Sequence, residues 1–461
     1  MKKKNLSDII VPLNSTIRSI IETISNTGTR GVFICDKNRE LMGIVMDSDI
    51  RRAVLSNLDL NASVKTIMKT TPFVIADGIP LEMRKQLFIK SEKMLVPIVD
   101  KKRSVIDYIY LPDILEDLFN KQTSGSFIGN GMILPPQKIL VIGGAGYIGS
   151  VLVEKLLRKG YKVRVLDLLL YGENPICNFE GENLEFIRGD CRNEETIKQV
   201  LDGVDAVVHL GEIVGDPACS INESFTIETN YLATHRIVEQ CMKNQINRLI
   251  FASSCSVYGQ NDHEINEESE LNPVSLYARC KIESEKAILS YGSNNFCPTI
   301  LRLATVHGKS YRQRFDLVVN LLTIKALAEK KIKIFGGVQW RPFISVKDVC
   351  EGIIQVLHTD REKVKNQVFN LGDSRENYQL SQIGMIIKNI LPEVEIEYLK
   401  DQIDKRNYRV SFEKIRRHLG FSVEYKLADT IKDFVTAYRQ ENLFHDYNDS
   451  KYHNYLSLSR I

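Results

Sequence analysis

The chain has 461 residues, 43% hydrophobic and 26% charged, the balance of an ordinary globular protein. Wholesale disorder, a collagen-like repeat and a disulfide-rich miniprotein are excluded. Lys and Arg number 61 against 58 Asp and Glu, and the net charge of +3 gives no reason to expect a nucleic acid or a membrane surface as partner. At ~150 residues per domain the length predicts about three domains, or two with one large. Nine cysteines, with no CxxC pair, are read as free thiols in a reducing compartment. The first residues, MKKKNLSDIIVPLNST, start basic but hold no sustained apolar segment, and no apolar run approaches the ~18 residues of a membrane span. A cytoplasmic protein is expected.

Residues 1–120 contain a weak repeat. At an offset of 64, VFICDK (32–37) lies over VPIVDK (96–101), and DI (49–50) over DI (113–114). Each copy reads as a strand, a charged turn, a second strand and a helix. Upstream amphipathic helices are predicted over 15–26 and 80–91. Two copies of one unit pack face to face, because neither buries its apolar face alone. Residues 121–136 hold three Gly, two Ser and two adjacent Pro and read as a linker.

From Lys138 onward apolar runs alternate with helical stretches: KILVIGG, VLVEKLLRKG, KVRVLD, LEFIRGD, VDAVVHLG, RLIFASS and TILRLATV. This alternation predicts an α/β, doubly wound parallel sheet, with strands apolar on both faces. After about residue 310 the pattern turns irregular and reads as a substrate-side lobe. The tail 441–461 lacks periodicity and is expected to be loosely ordered or a contact arm.

Strand 138–144 runs into a turn with glycines at Gly143, Gly146 and Gly149. A dinucleotide site needs them there: a tight turn, backbone close to the pyrophosphate, and close packing of helix on strand. Ile148, Leu152 and Leu156 share a face of the following helix. Tyr147 and Ile148 join the glycines in the expected cofactor set. A second strand ends at Asp167, whose carboxylate suits the adenosine ribose hydroxyls and repels a 2′-phosphate. NAD is therefore expected rather than NADP, although Arg164 on the same strand leaves that preference incomplete. Asp190, with Cys191 beside it, ends the third strand. It reads equally as an adenine contact and as the N-cap of the helix EETIKQVL.

Tyr277 and Lys281 form YxxxK and share a helix face. The ammonium is expected to lower the phenol pKa, giving a base usable at neutral pH. YxxxK occurs in helices by chance; it gains weight from FASSCSVYG (251–259), where Ser254 stands to bond a substrate oxygen.

With these motifs in order, followed by RPFISVKDV (341–349), residues 137–440 resemble the extended short-chain dehydrogenases/reductases. The closer likeness is to the NAD-dependent epimerase/dehydratase group that acts on nucleotide sugars. The resemblance implies an NAD-binding Rossmann sheet with a C-terminal substrate lobe. It implies Tyr277 as catalytic base, Lys281 as the residue that orients the ribose and tunes Tyr277, and Ser254 as the third member. It also implies substrate contacts from Ser254, Ser256, Arg341 and Arg406, the arginines on phosphate. Surface ion pairs are the competing reading of both arginines. Sugar 4,6-dehydratases carry an Asp-Glu pair where this chain has Cys255 and Ser256, and the decarboxylating relatives keep a Glu at the second place. Elimination is thus not expected. Oxidation at a ring carbon, commonly C4, and hydride return is expected: an NAD-dependent nucleotide-sugar epimerase in surface-polysaccharide or glycan precursor synthesis. A keto-sugar reductase or dehydrogenase and a non-catalytic nucleotide sensor are the alternatives.

Glu212 lies where that family is usually small and apolar. It is read as turned to solvent in preference to facing the nicotinamide or sugar. His307 and His209 are read as structural, and no metal site is expected. Residues 1–120, best in GIVMDSDIRRAVL (43–55), resemble a pair of cystathionine-β-synthase-type (CBS) domains, an α+β module. Such pairs often bind adenine nucleotides through a hydroxyl residue and an Asp. Here Asp49 and Asp113 remain, but Met46 and Tyr110 replace the hydroxyls. A sensor of adenine nucleotide and a ligand-free dimerising module stand as equal readings, within a homodimer or higher homo-oligomer.

Overall fold

The structure is a computed structural model describing residues 5–55, 58–80, 83–84, 95–110, 136–179, 181–293, 296–399 and 406–459. The chain divides into two compact units, Met1–Gly131 and Met132–Ile461. Residues 121–135 of the expected linker 121–136, the DI pair 113–114 with Asp113, and most of the expected helix 80–91 lie outside the described residues.

In the first unit the repeat becomes geometry. Ile10–Pro12 pairs parallel with Gly31–Cys35, which pairs antiparallel with Leu41–Met46; Ile75–Ala76, Leu95–Val99 and Val105–Tyr110 do the same. Cys35 faces Leu41 as Val99 faces Val105, 64 positions on, and each ladder slips at that same place. The two hairpin turns match bond for bond. Asp36 Oδ1 accepts from the amides of Asn38 and Glu40, and Asp100 Oδ1 from those of Lys102 and Ser104, all at 2.8 Å. Arg39 and Arg103 close these turns at φ +64° and +61°. They also join the copies: the Leu41 amide donates to the Arg103 carbonyl and the Val105 amide to the Arg39 carbonyl, at 2.9 and 3.1 Å. Phe33, Leu41, Leu95, Val105 and Tyr108 fill the core between the copies. The helix expected over 15–26 runs Ile17–Thr27, capped by Thr16, whose side chain accepts from the Ser19 amide.

The second unit is built on seven parallel strands: β1 (Lys138–Ile142), β2 (Lys162–Asp167), β3 (Leu184–Arg188), β4 (Ala206–His209), β5 (Arg248–Ser254), β6 (Cys297–Leu303) and β7 (Gln367–Leu371). Their order is β3-β2-β1-β4-β5-β6-β7, the doubly wound arrangement expected. Alternate residues of β1 enter opposite cores. Ile139 and Val141 join the core under helices Tyr147–Arg158 and Val346–His358; Leu140 and Ile142 join the one under Glu194–Leu201 and Ala233–Lys243. Burial on both faces explains why the strands read as unbroken apolar runs.

The remaining chain folds against the carboxyl ends of these strands as a lobe with its own core, centred on Phe315, Phe343 and Phe434. Of the two expectations for the tail, loose order is corrected. Ser450–Tyr452 and Asn454–Leu458 are helical, Tyr447 and Leu458 are buried, and Asn454 is 1% exposed. Its apolar anchors are too unevenly spaced to show a period.

The helix Leu276–Ser290 carries Tyr277 and Lys281. Ser275 caps it by accepting from the Ala278 amide at 3.2 Å. Behind it Arg302 forks onto Glu285 at 2.7–3.2 Å and reaches Tyr258 Oη at 2.9 Å. Ser253 donates to the same Glu285, so the network ties β5, β6 and this helix together. Both charges are buried, and removing one leaves the other uncompensated in a poorly solvated site. Glu285→Ala should therefore lower unfolding free energy by about 3–5 kcal/mol in a urea titration; a loss under about 1 kcal/mol, the size of an exposed pair, would contradict this.

Candidate active site

β1 ends in the turn Gly143–Gly149. Gly143 sits at φ +80°, and a Cβ there would stand 2.7 Å from the Gly211 backbone. A Cβ on Gly149 would stand 2.2 Å from the Gly143 carbonyl. Side chains are thus excluded where strand, helix and any phosphate must approach. The helix Tyr147–Arg158 opens at Gly146 with no side-chain cap, leaving its first amides for an anion.

Asp167 ends β2 beside this turn. Its carboxylate accepts from the Ala145 amide at 2.9 Å and the Leu169 amide at 2.8 Å. Burial raises its pKa, against the pull of those two bonds. Arg164 does not compete for a cofactor phosphate. It is buried on Glu185 at 2.7 Å and on the carbonyls of Val200 and Asp202, which removes the reservation attached to the NAD preference. Asp190 and Cys191 line the same cavity as Asp167, Gly143 and Gly146. Asp190 is not the helix cap: Asn193 accepts from the Thr196 amide, and Asp190 is held by Arg192 at 2.6 Å.

A second cavity adjoins the first. It is lined by Tyr147, Ile148, Gly149, Ser254, Ser256, Tyr277, Lys281 and Arg406, and shares Gly143, Gly146, Glu212 and Arg312 with its neighbour. The cofactor turn and the expected catalytic residues therefore meet in one cleft.

Two expectations are corrected here. Glu212 is not turned to solvent; its side chain is 1% exposed and forms an ion pair with Lys281. Lys281 also donates to the Ala252 carbonyl at the end of β5. Nor is the Tyr277 phenol lowered. Its pKa is raised, first by removal from water and then by the Glu212 charge, while a hydrogen bond with Ser254 pulls the other way. The lysine charge is spent on a carboxylate rather than on the phenol.

Glu212 is placed by a π-helical turn, Glu228–Leu232, a local irregularity found at functional sites. The turn aims Asn230 at the loop after β4. Asn230 accepts from the Ile213 amide at 2.8 Å and donates to the Ile213 carbonyl at 2.7 Å. Ser284, from the Tyr277 helix, donates to the Asn230 carbonyl at 2.9 Å.

The expected arginines separate. Arg406 lines the cleft, ion-paired with Asp216 at 3.3 Å. Arg341 does not line it: buried, it donates to the Trp340 carbonyl at 2.7 Å and lies over the Tyr408 ring at 5.3 Å. It is Tyr408 that reaches the cleft. Sequence reasoning passed over Arg312, whose only signal was a pair of arginines in the aperiodic loop KSYRQRFDL. His209 and His307 are core residues bonded to Thr234 and Thr430 at 2.9 Å, and burial pushes both pKa values down to about 3.

Residues 139–372 match the model of the NAD dependent epimerase/dehydratase family, and residues 5–56 that of the CBS domain. An uncharacterized UDP-glucose epimerase of Bacillus subtilis is 30% identical over 314 residues, 65% of this chain and 96% of that protein. The dTDP-glucose 4,6-dehydratase of Streptomyces niveus is 28% identical over 66% of this chain and 93% of its own length. Among solved structures, the UDP-glucose 4-epimerase of Thermotoga maritima with UDP-glucose superposes with a TM-score of 0.60 at 25% identity, covering 66% of this chain and 99% of that one.

Because the Glu212 charge adds to burial in raising the Tyr277 pKa, Glu212→Gln should let Tyr277 ionise at lower pH. Carbon NMR of ring-labelled tyrosine, with the signal assigned through Tyr277→Phe, reads this directly. A phenol that titrates at the same or higher pH in the variant would contradict the assignment.

Proposed function

The chain belongs to the NAD-dependent epimerase/dehydratase family, with a CBS domain at its N-terminus. From that premise we propose that it is a nucleotide-sugar epimerase working by oxidation at one ring carbon, C4 in our reading, and hydride return, in the synthesis of surface-polysaccharide or glycan precursors. NAD, when bound, supplies a hydride acceptor that returns what it takes. Its pyrophosphate fits the amides of the Gly143–Gly149 turn, with Tyr147 and Ile148 on the same stretch; its adenosine fits Asp167, Asp190 and Cys191.

Ser254 holds the sugar hydroxyl; Tyr277 first has to ionise, then takes the hydroxyl proton as the carbon is oxidised and gives that proton back as the ketone is reduced. Lys281, fixed by Glu212 and Ala252, orients the ribose side of the site. Arg406 serves the substrate phosphates, and Ser256, whose hydroxyl is buried without a partner, offers one to the sugar.

One observation carries the choice of epimerase over dehydratase. Elimination needs an acid–base pair beside Ser254, and the next two residues supply none. Cys255 is buried, its thiol donates to the Arg302 carbonyl, and its pKa is raised by burial. Ser256 has only a hydroxyl. The two positions where the dehydratases carry their acid–base pair therefore supply none here, which supports oxidation and hydride return over elimination.

In the N-terminal module, Asp49 accepts from the Met46 amide at 2.9 Å and is ion-paired with Arg52 and Lys69. With that carboxylate occupied, we read the module as assembling the enzyme into a homo-oligomer rather than as sensing adenine nucleotide. A cytoplasmic location completes the reading. No helix among the described residues is long and apolar enough to cross a membrane.

The test is a panel of UDP-, GDP-, CDP- and dTDP-sugars with catalytic NAD, followed by sugar NMR and NADH absorbance together. A new sugar without net NADH is expected, and Tyr277→Phe should cut turnover by about 10²–10⁴-fold while leaving NAD affinity unchanged. NADH accumulating in step with substrate loss would make the enzyme a dehydrogenase, and normal turnover in the variant would refute the role of Tyr277.

A further inference from the structure

Arg312 is 8% exposed and lines both halves of the cleft. Nη1 donates to Asn454 Oδ1 at 2.6 Å, and the guanidinium lies 4.3 Å over the Tyr171 ring. Nε and Nη2 are buried with no hydrogen-bond partner. Neighbouring Arg314 is in a different state: it forks onto Asp316 at 2.8 and 3.1 Å. Asp316 is thereby spent; among the described residues Arg312 forms no ion pair, and the Asp316 and Asp167 charges reach it only from further off. Burial and the Arg314 charge push its pKa down to about 10. A buried cation with two open N–H groups is costly unless an anion meets it. The same cavities contain the uncapped start of the twelve-residue helix after Gly146.

We propose that Arg312, positioned by Asn454 of the C-terminal segment, binds phosphate in the cleft. Its ligand is the pyrophosphate of a bound dinucleotide or the diphosphate of a bound nucleotide sugar. The proposal rests on the reading of the cleft as a nucleotide site. Two open N–H groups, on Nε and Nη2 of one planar fork, match two oxygens of one phosphate. Asn454 is fixed for this purpose: its amide donates to Asp316 Oδ2 at 3.1 Å and its side chain to the Val214 carbonyl at 3.3 Å. Leu458, one turn on, packs with Ile213 and Cys219. The tail thus straps the loop bearing Arg312 to the loop bearing Glu212, and the cleft is incomplete without it.

Calorimetry with NAD and with UDP, on the full chain and on Arg312→Gln, Arg312→Ala and Asn454→Ala, tests this. The glutamine keeps a planar group over Tyr171 and loses the charge, so a folded variant is available even if the alanine fails. Arg312→Gln should weaken one of the two ligands about tenfold or more and leave the other within about twofold as internal control. Loss of NAD identifies the cofactor pyrophosphate, and loss of UDP the substrate diphosphate. Asn454→Ala should weaken the same ligand by less, and add nothing in the Arg312→Gln background. Unchanged affinity for both ligands in a folded Arg312→Gln overturns the proposal, as does an equal loss of both, which would mean a collapsed cleft. A wild-type chain that binds NAD but converts no sugar refutes the epimerase reading alone, while one that binds neither ligand overturns both.

Discussion

The ion pair between Lys281 and Glu212 is the contact on which the cleft depends. It joins the loop after β4 to the helix that carries Tyr277, and the Ala252 carbonyl adds the end of β5. Two charges taken out of water are costly, and their attraction offsets that only with good geometry and further hydrogen bonds. Such a pair is a poor way to stabilise a fold and an effective way to place a charge. Here it holds the lysine and sets the carboxylate between the two halves of the cleft, where its charge adds to burial in raising the Tyr277 pKa.

The rest of the unit serves that placement at increasing distance. Asn230 grips Ile213 from the π-helical turn, and Ser284 ties the turn to the helix that carries Tyr277. Arg302, Glu285 and Tyr258 lock the same helix from behind. The glycine turn keeps side chains away from the other wall. The hydrogen-bonded devices satisfy buried polar groups away from solvent, the condition under which a fixed charge acts strongly. The C-terminal segment closes the last side through Asn454 and Leu458.

What could be read from residues alone was what local chemistry determines. The glycines, Asp167, Tyr277 and Lys281 announce themselves by spacing, because one turn or one helix face sets their geometry. The repeat of the first unit was legible for the same reason, down to the paired turns at Asp36 and Asp100. Glu212 was misread because nothing beside it in the chain shows Asn230 or Lys281, which reach it from elsewhere in the fold. Arg164 and Arg341 share that cause: an arginine on a strand looks available until the carbonyls and rings that hold it are known. Asp190 lost the cap to Asn193, which lies next to the first helical residue. The tail reads as loose or as a contact arm, without a choice between them, because Tyr447, Asn454 and Leu458 do not follow a helical period.

The central claim is that this cleft removes a hydride from a sugar carbon and returns it, with Tyr277 moving only the hydroxyl proton. The most direct test uses the nucleotide sugar the enzyme converts, deuterated at the carbon that inverts, in ordinary water with catalytic NAD. Mass spectrometry and NMR of the product should find the deuterium still on that carbon. Deuterium replaced by solvent hydrogen would mean that the carbon had lost a proton instead, and the account of the site would be wrong.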